Sequence, residues 1–153
     1  MPSMTFEREL SVGADAAACW RVLTDVPRLV GWISVVQDAQ EISKLDRYTA
    51  VLMDRLGPFK LRADLEISLS DVEECRRVHV NAAGEDRQVS SRISVDATLN
   101  LNAREGGGTV ISVNGTYEVV GRVATLGAGM IRAKATKILD EFFEHAAAEL
   151  AGR

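Results

Sequence analysis

Few side chains in this chain are of a type and spacing that could do chemistry. The two histidines are His79 and His145. His79 alternates with Val78 and Val80, which predicts a strand position turned to solvent, and His145 sits at the edge of an apolar helical stripe. Neither has a cysteine or carboxylate at ligand spacing, so no metal site is expected. No serine or cysteine pairs with a histidine base in the manner nucleophilic catalysis requires. The glycine-rich stretch "GRVATLGAGM" lacks the Lys-Ser/Thr of a phosphate loop, and it lacks the glycine spacing of a dinucleotide site. Acid–base chemistry has three candidates: Asp54, Tyr48 and Tyr117. Asp54 shares a face with Tyr48, Ala50 and Leu52, although its place near a strand end favours solvent. Arg8 falls on the apolar face of the first strand; it is expected at the rim, paired or snorkelling, or against a polar head group. No catalytic set is expected.

The elements that must position these residues follow from periodicity. The 153 residues, 46% hydrophobic and 26% charged, suit one folded domain over 1–153 with one sizeable core. The net charge of -4 and the scattered basic residues exclude a nucleic-acid surface. No apolar run is long enough to span a membrane, and "MPSMTFEREL" has no signal-type apolar core. Cys19 and Cys75 are expected as reduced thiols in a cytoplasmic protein. "SMTFERELSV" alternates as a strand. Asp15 caps a short helix that buries Ala18, Cys19, Val22 and Leu23, and Pro27 opens a second helical turn. From Ile33 to Val120 the period is two. "FKLRADLEISLS" is the clearest case, with Phe59, Leu61, Ala63, Leu65, Ile67 and Leu69 facing one way. "GGG" at 106–108 reads as a hairpin turn. One-sided alternation means an antiparallel sheet with one wet face, and the long helix near the C-terminus must cover the other. The predicted order is strand, two short helices, six strands, long helix.

The front of that helix is unusual. Read from 124, its apolar stripe is Ala124, Gly127, Ala128, Ile131, Ala135, Ile138, Leu139, Phe142 and Ala146, running from small to large. Met130, Lys134, Lys137 and Glu141 flank it. The inward rows of the sheet also hold small residues: Ala50, Ala63, Ala82, Ala97 and Gly115. Two readings fit: close approach of helix to sheet, or a cavity plugged at the far end by Ile138, Phe142 and Phe143. The small residues come from both layers, and a glycine inside a helix costs about 1 kcal/mol against alanine; both points favour a cavity. An empty void of roughly 300 Å3 would cost about 7 kcal/mol, so such a cavity is expected to hold a ligand or to be lined so that it tolerates water. The expected wall is Trp32, as a gate or as core, with Ala50, Leu52, Phe59, Leu61, Ala63, Leu65, Ala82, Val95, Ala97, Gly115 and Tyr117. The helix contributes Ala124, Gly127, Ala128, Ile131 and Ala135.

"ACWRVLTDVPRLVGW", "YTAVLMDRLGPFKL" and "GTYEVVGRVATLGAGMIRAKATKILDEFF" carry a resemblance over nearly the whole chain. It resembles the G-subunit family of carbon monoxide dehydrogenase, within the START/SRPBCC helix-grip superfamily. Relatives often carry Pro-Gly where this chain has "GWISVV". The resemblance implies an α+β helix-grip fold: a seven-stranded antiparallel sheet wrapped around a long C-terminal helix, with two short helices after strand 1. It also implies an apolar guest, a menaquinone-like quinone or other lipid, with no tightly bound cofactor. The implied partner is a molybdenum-containing carbon monoxide dehydrogenase or related hydroxylase, served at the inner face of the cell membrane. Some relatives carry a C-terminal extension able to reach a membrane; none is expected beyond Arg153. Burying roughly 300–400 Å2 of guest gives about 8–10 kcal/mol gross, and association costs reduce that to a micromolar-scale carrier. The alternative is a small cyclase or dehydratase using Asp54 and Tyr117. A third reading, compatible with the first, is recruitment by surface contact.

Overall fold

The computed structural model describes residues 3–151. Strand β1 (Met4–Val12) is followed by two short helices, α1 (Ala16–Leu23) and α2 (Val26–Val30). Asp15 caps α1, its carboxylate accepting the Ala18 N–H at 2.8 Å, and Asp25 caps α2 with Pro27 in the first turn. Trp20 is buried beside Cys19 and Leu23, whereas Ala18 and Val22 are only half-buried. Six strands follow: β2 (Val36–Ser43), β3 (Arg47–Leu56), β4 (Phe59–Glu73), β5 (Arg77–Asp86), β6 (Ser91–Ala103) and β7 (Thr109–Gly121). A 3-10 turn (Arg122–Leu126) leads into helix α3 (Ala128–Glu149).

The seven strands form one antiparallel sheet in the order β1-β7-β6-β5-β4-β3-β2. Only β1 departs from sequence order, because the segment holding α1 and α2 carries the chain across from β1 to β2. The alternation in β4 becomes burial: Leu61, Ala63, Leu65 and Leu69 are buried while Lys60, Arg62, Asp64 and Glu66 are exposed. This is the α+β helix-grip architecture. Gly115 is a close-approach residue, since a Cβ there would collide with the Asp96 carbonyl of neighbouring β6.

The interior divides in two. The larger cluster joins Trp20, Trp32, Tyr48, Ile111 and Val78 to the back of α3 at Phe143, Ala146 and Leu150. Backbone bonds from Ala14 N–H to the Leu150 carbonyl and from Gly13 N–H to the Ala151 carbonyl clamp that end of the helix. A smaller cluster of Leu56, Leu61 and Val123 lies at the other end. Both cysteines are free thiols, Cys19 buried and Cys75 half-buried. Among the described residues no helix is long and apolar enough to cross a membrane.

Candidate functional site

Between the two clusters, under the front half of α3, lies a cavity of about 310 Å3. Its origin differs from the expectation. The helix does not begin at residue 124. Gly121 and Gly127 take φ values of 96° and 93° and bracket the 3-10 turn, and α3 begins at Ala128. Gly127 is therefore a chain break accessible to glycine, not a hollowed helix position. Ala128 and Gly129 are exposed. The turn drives Val123, fully buried, and Leu126 into the cavity's end, where they prop the front of the helix. The back is clamped by Phe143, Ala146 and Leu150. The space is what remains between prop and clamp, and its walls are mostly branched aliphatics.

Eight of the expected residues meet at this wall: Leu52, Leu61, Leu65, Ala82, Val95, Tyr117, Ile131 and Ala135. The others do not line it. Ala50 belongs to the larger core cluster. Ala63 and Ala97 are buried within the sheet's packed face, and Gly115 serves the close contact between strands β7 and β6. Phe59 packs in the smaller cluster beneath Arg122, whose guanidinium lies 5.7 Å from the ring centre. Ala124, Gly127 and Ala128 sit on the turn or at the start of α3. Trp32 is core, edge-on to Phe142 at 5.5 Å and stacked on His145 at 5.8 Å. Ile33, Val35 and Val36, just after it, line the cavity instead, and the helix contributes Met130, 41% exposed.

Leu56, Ile138 and Leu139 also line the wall, as do Phe6, Ile93 and Val119. Alternation alone puts them on the inward face, but residue size, the signal used to locate the cavity, does not single them out. The run "ISVV" after Trp32 is the sequence signal for this part of the wall.

Three polar side chains reach this otherwise apolar wall: Asp54, Tyr117 and Lys134. Asp54 faces inward rather than to solvent. Its carboxylate takes the Lys134 ammonium at 3.0 and 3.2 Å and the Arg55 N–H at 2.7 Å. The Asp54 side chain is 16% exposed. Tyr117, four strands away, stands on the opposite flank of α3 beside Phe6, their ring centres 6.2 Å apart. Its hydroxyl makes no hydrogen bond among the described residues. Burial raises the hydroxyl above its ordinary value, and the nearby Arg132 charge pulls partly the other way. Tyr48 is buried in the main core, where its hydroxyl accepts the Leu45 N–H at 2.8 Å. Arg8 bridges β1 to α3 through Asp140 at 2.6 Å.

His79 lies on the outer face between Thr98 and Asp96. Among the described residues no group of three or more His, Cys, Asp or Glu is placed to hold a metal ion.

The fold recurs in solved structures. A conserved protein from Geobacillus kaustophilus superposes with a TM-score of 0.83 at 20% identity, over 96% of this chain and 95% of that one. A START superfamily protein from Mycobacterium smegmatis gives 0.72 at 10% identity, over 95% and 96%. A protein from Thermus thermophilus gives 0.67 at 16%, over 97% of both. At these identities the likeness establishes the fold. A search among curated proteins finds no match. The family model for the G subunit of carbon monoxide dehydrogenase (CoxG) matches residues 9–151, and the chain belongs to that family.

Proposed function

We propose that this protein is a non-catalytic accessory carrier. It holds a menaquinone-like quinone or another lipid in the sheet–helix cavity and serves a molybdenum-containing carbon monoxide dehydrogenase or related hydroxylase in the cytoplasm. The observation that carries the reading is the cavity itself: about 310 Å3 lined mostly by aliphatic side chains, with three polar side chains among them. That is the lower range of small-molecule sites. Apolar wall left against water is unfavourable at about 25 cal/mol per Å2, and an apolar guest relieves that cost. The family supports the accessory role, because its description names a subunit of an oxidoreductase.

The end of the sheet that brings Leu52, Leu56 and Leu61 to the cavity supports peripheral contact with a membrane, where such guests reside. From the strand row Asp64–Glu85–Arg92 outward it exposes Arg55, Lys60, Arg62, Arg87, Arg92 and Arg122. The exposed acidic side chains of the same region are Asp64 and Glu85, so this end is basic in a chain of net charge -4. Each basic side chain near an anionic leaflet contributes about 1 kcal/mol. Catalysis of the cyclase or dehydratase type has one point in its favour: Asp54 and Tyr117 both line the cavity. Against it, the Asp54 oxygens are already held by Lys134 and the Arg55 N–H.

Solvent extraction of the purified protein followed by mass spectrometry is the test. A prenyl or acyl lipid should be recovered, and added menaquinone should bind in the micromolar range. No lipid, and no binding of menaquinone, would refute the carrier role.

A further inference from the structure

We propose that the Asp54–Lys134 ion pair selects guests by head group, admitting neutral oxygen heads and rejecting free carboxylates. This deepens the carrier reading and rests on it. The pair supplies two of the three polar side chains in the wall, so a guest's polar end has few places to go. Lys134 presents three N–H donors. Its contacts at 3.0 and 3.2 Å go to the two oxygens of one carboxylate, which leaves donor capacity for a guest oxygen. A ketone, quinone or alcohol oxygen can take that capacity.

A fatty-acid carboxylate cannot do so at the same cost. Placed against the Lys134 ammonium, it would lie within a few ångströms of the Asp54 carboxylate, which the Arg55 N–H also holds in position at 2.7 Å. Attraction to one partner is then opposed by repulsion from the other. Beside an apolar wall neither is damped as it would be in bulk water. Arg132 stands on the opposite flank of α3 beside Tyr117, and Arg8 is paired with Asp140. Selectivity thus comes from a built-in repulsion against the wrong head group. Tyr117, whose hydroxyl has no partner among the described residues, offers a hydrogen bond from the far wall to either head group and so leaves the discrimination to the Asp54–Lys134 pair.

The test uses the full chain, a neutral fluorescent apolar probe (N-phenyl-1-naphthylamine), and two competitors sharing one chain, oleyl alcohol and oleate, at a pH where oleate is ionised. Wild type should bind the alcohol about tenfold or more tightly than oleate. Asp54→Asn keeps an acceptor for the Arg55 N–H and removes the negative charge. It should improve oleate about tenfold while changing the alcohol by less than about threefold. Lys134→Gln, a second variant, should weaken oleate further by stripping its only attraction at this site. Equal affinities in wild type, or an unchanged ratio in Asp54→Asn with intact probe binding, would overturn the selector alone. Failure of the wild type to bind the probe at all would overturn the carrier reading and the selector with it.

Discussion

Filling the cavity from its own walls should exchange guest binding for stability. Ala135 on α3 and Ala82 on β5 face the same space from opposite layers. Leucine at either position adds three carbons. At about 0.8 kcal/mol per buried CH2 that is about 2.4 kcal/mol gross. Fixing the new side chain costs about 0.5–1 kcal/mol, so each substitution should stabilise the unliganded protein by about 1.5 kcal/mol. For a domain of this size that is a rise in Tm of roughly 3–6 °C. The guest loses the contacts the leucine takes, which corresponds to roughly 50-fold weaker binding. Thermal unfolding and titration with the neutral naphthylamine probe read both quantities on the same samples. Ala128→Leu is the control: the residue is exposed at the start of α3 and outside the wall, so neither quantity should move by more than about 0.5 kcal/mol. A lower Tm in Ala135→Leu together with undiminished probe affinity would mean the space is already filled, and the cavity argument would fall.

Gly115→Ala should cost about 1–3 kcal/mol in urea unfolding, because the added methyl would collide with the Asp96 carbonyl, which is backbone and cannot turn aside; an unchanged midpoint would refute the close approach of β7 to β6. Ultraviolet titration should place the Tyr117 hydroxyl above its ordinary value of 10.0. Since the folded pKa is raised, stability is intact below the unfolded value and falls as pH climbs from there through the folded one. Tyr117→Phe should remove that part of the alkaline decline, and a guest that excludes more water should push the hydroxyl higher still.

What the residues revealed in advance divides along a physical line. Alternation in "FKLRADLEISLS" reports which face of β4 is buried, and burial depends on that periodicity whatever the neighbouring strand does. The whole sheet was legible on the same ground, as was the cap at Asp15, whose hydrogen bond is local; the Asp25 cap of α2 is equally local but went unread. The start of α3 was not. Ala124, Gly127, Ala128 and Ile131 are spaced like one helical stripe, and only the positive φ at Gly127 separates a stripe from a break. Residue size proved a poor guide to empty space for a related reason. Ala50, Ala63 and Ala97 sit in packed surroundings, whereas Leu61, Ile93 and Val119 border the void. Volume between layers is set by how far apart they are held, and that distance depends on Phe143 and Leu150 at one end and on Val123 and Leu126 at the other. Asp54 and Lys134 illustrate the same limit at the level of charge. Periodicity put Lys134 on a helix flank and Asp54 on the face shared by Tyr48, Ala50 and Leu52, yet the strand-end position of Asp54 pointed to solvent. Their 3.0 Å contact requires the axial position of α3 over the sheet, a quantity no local pattern encodes and the pair of end clusters determines.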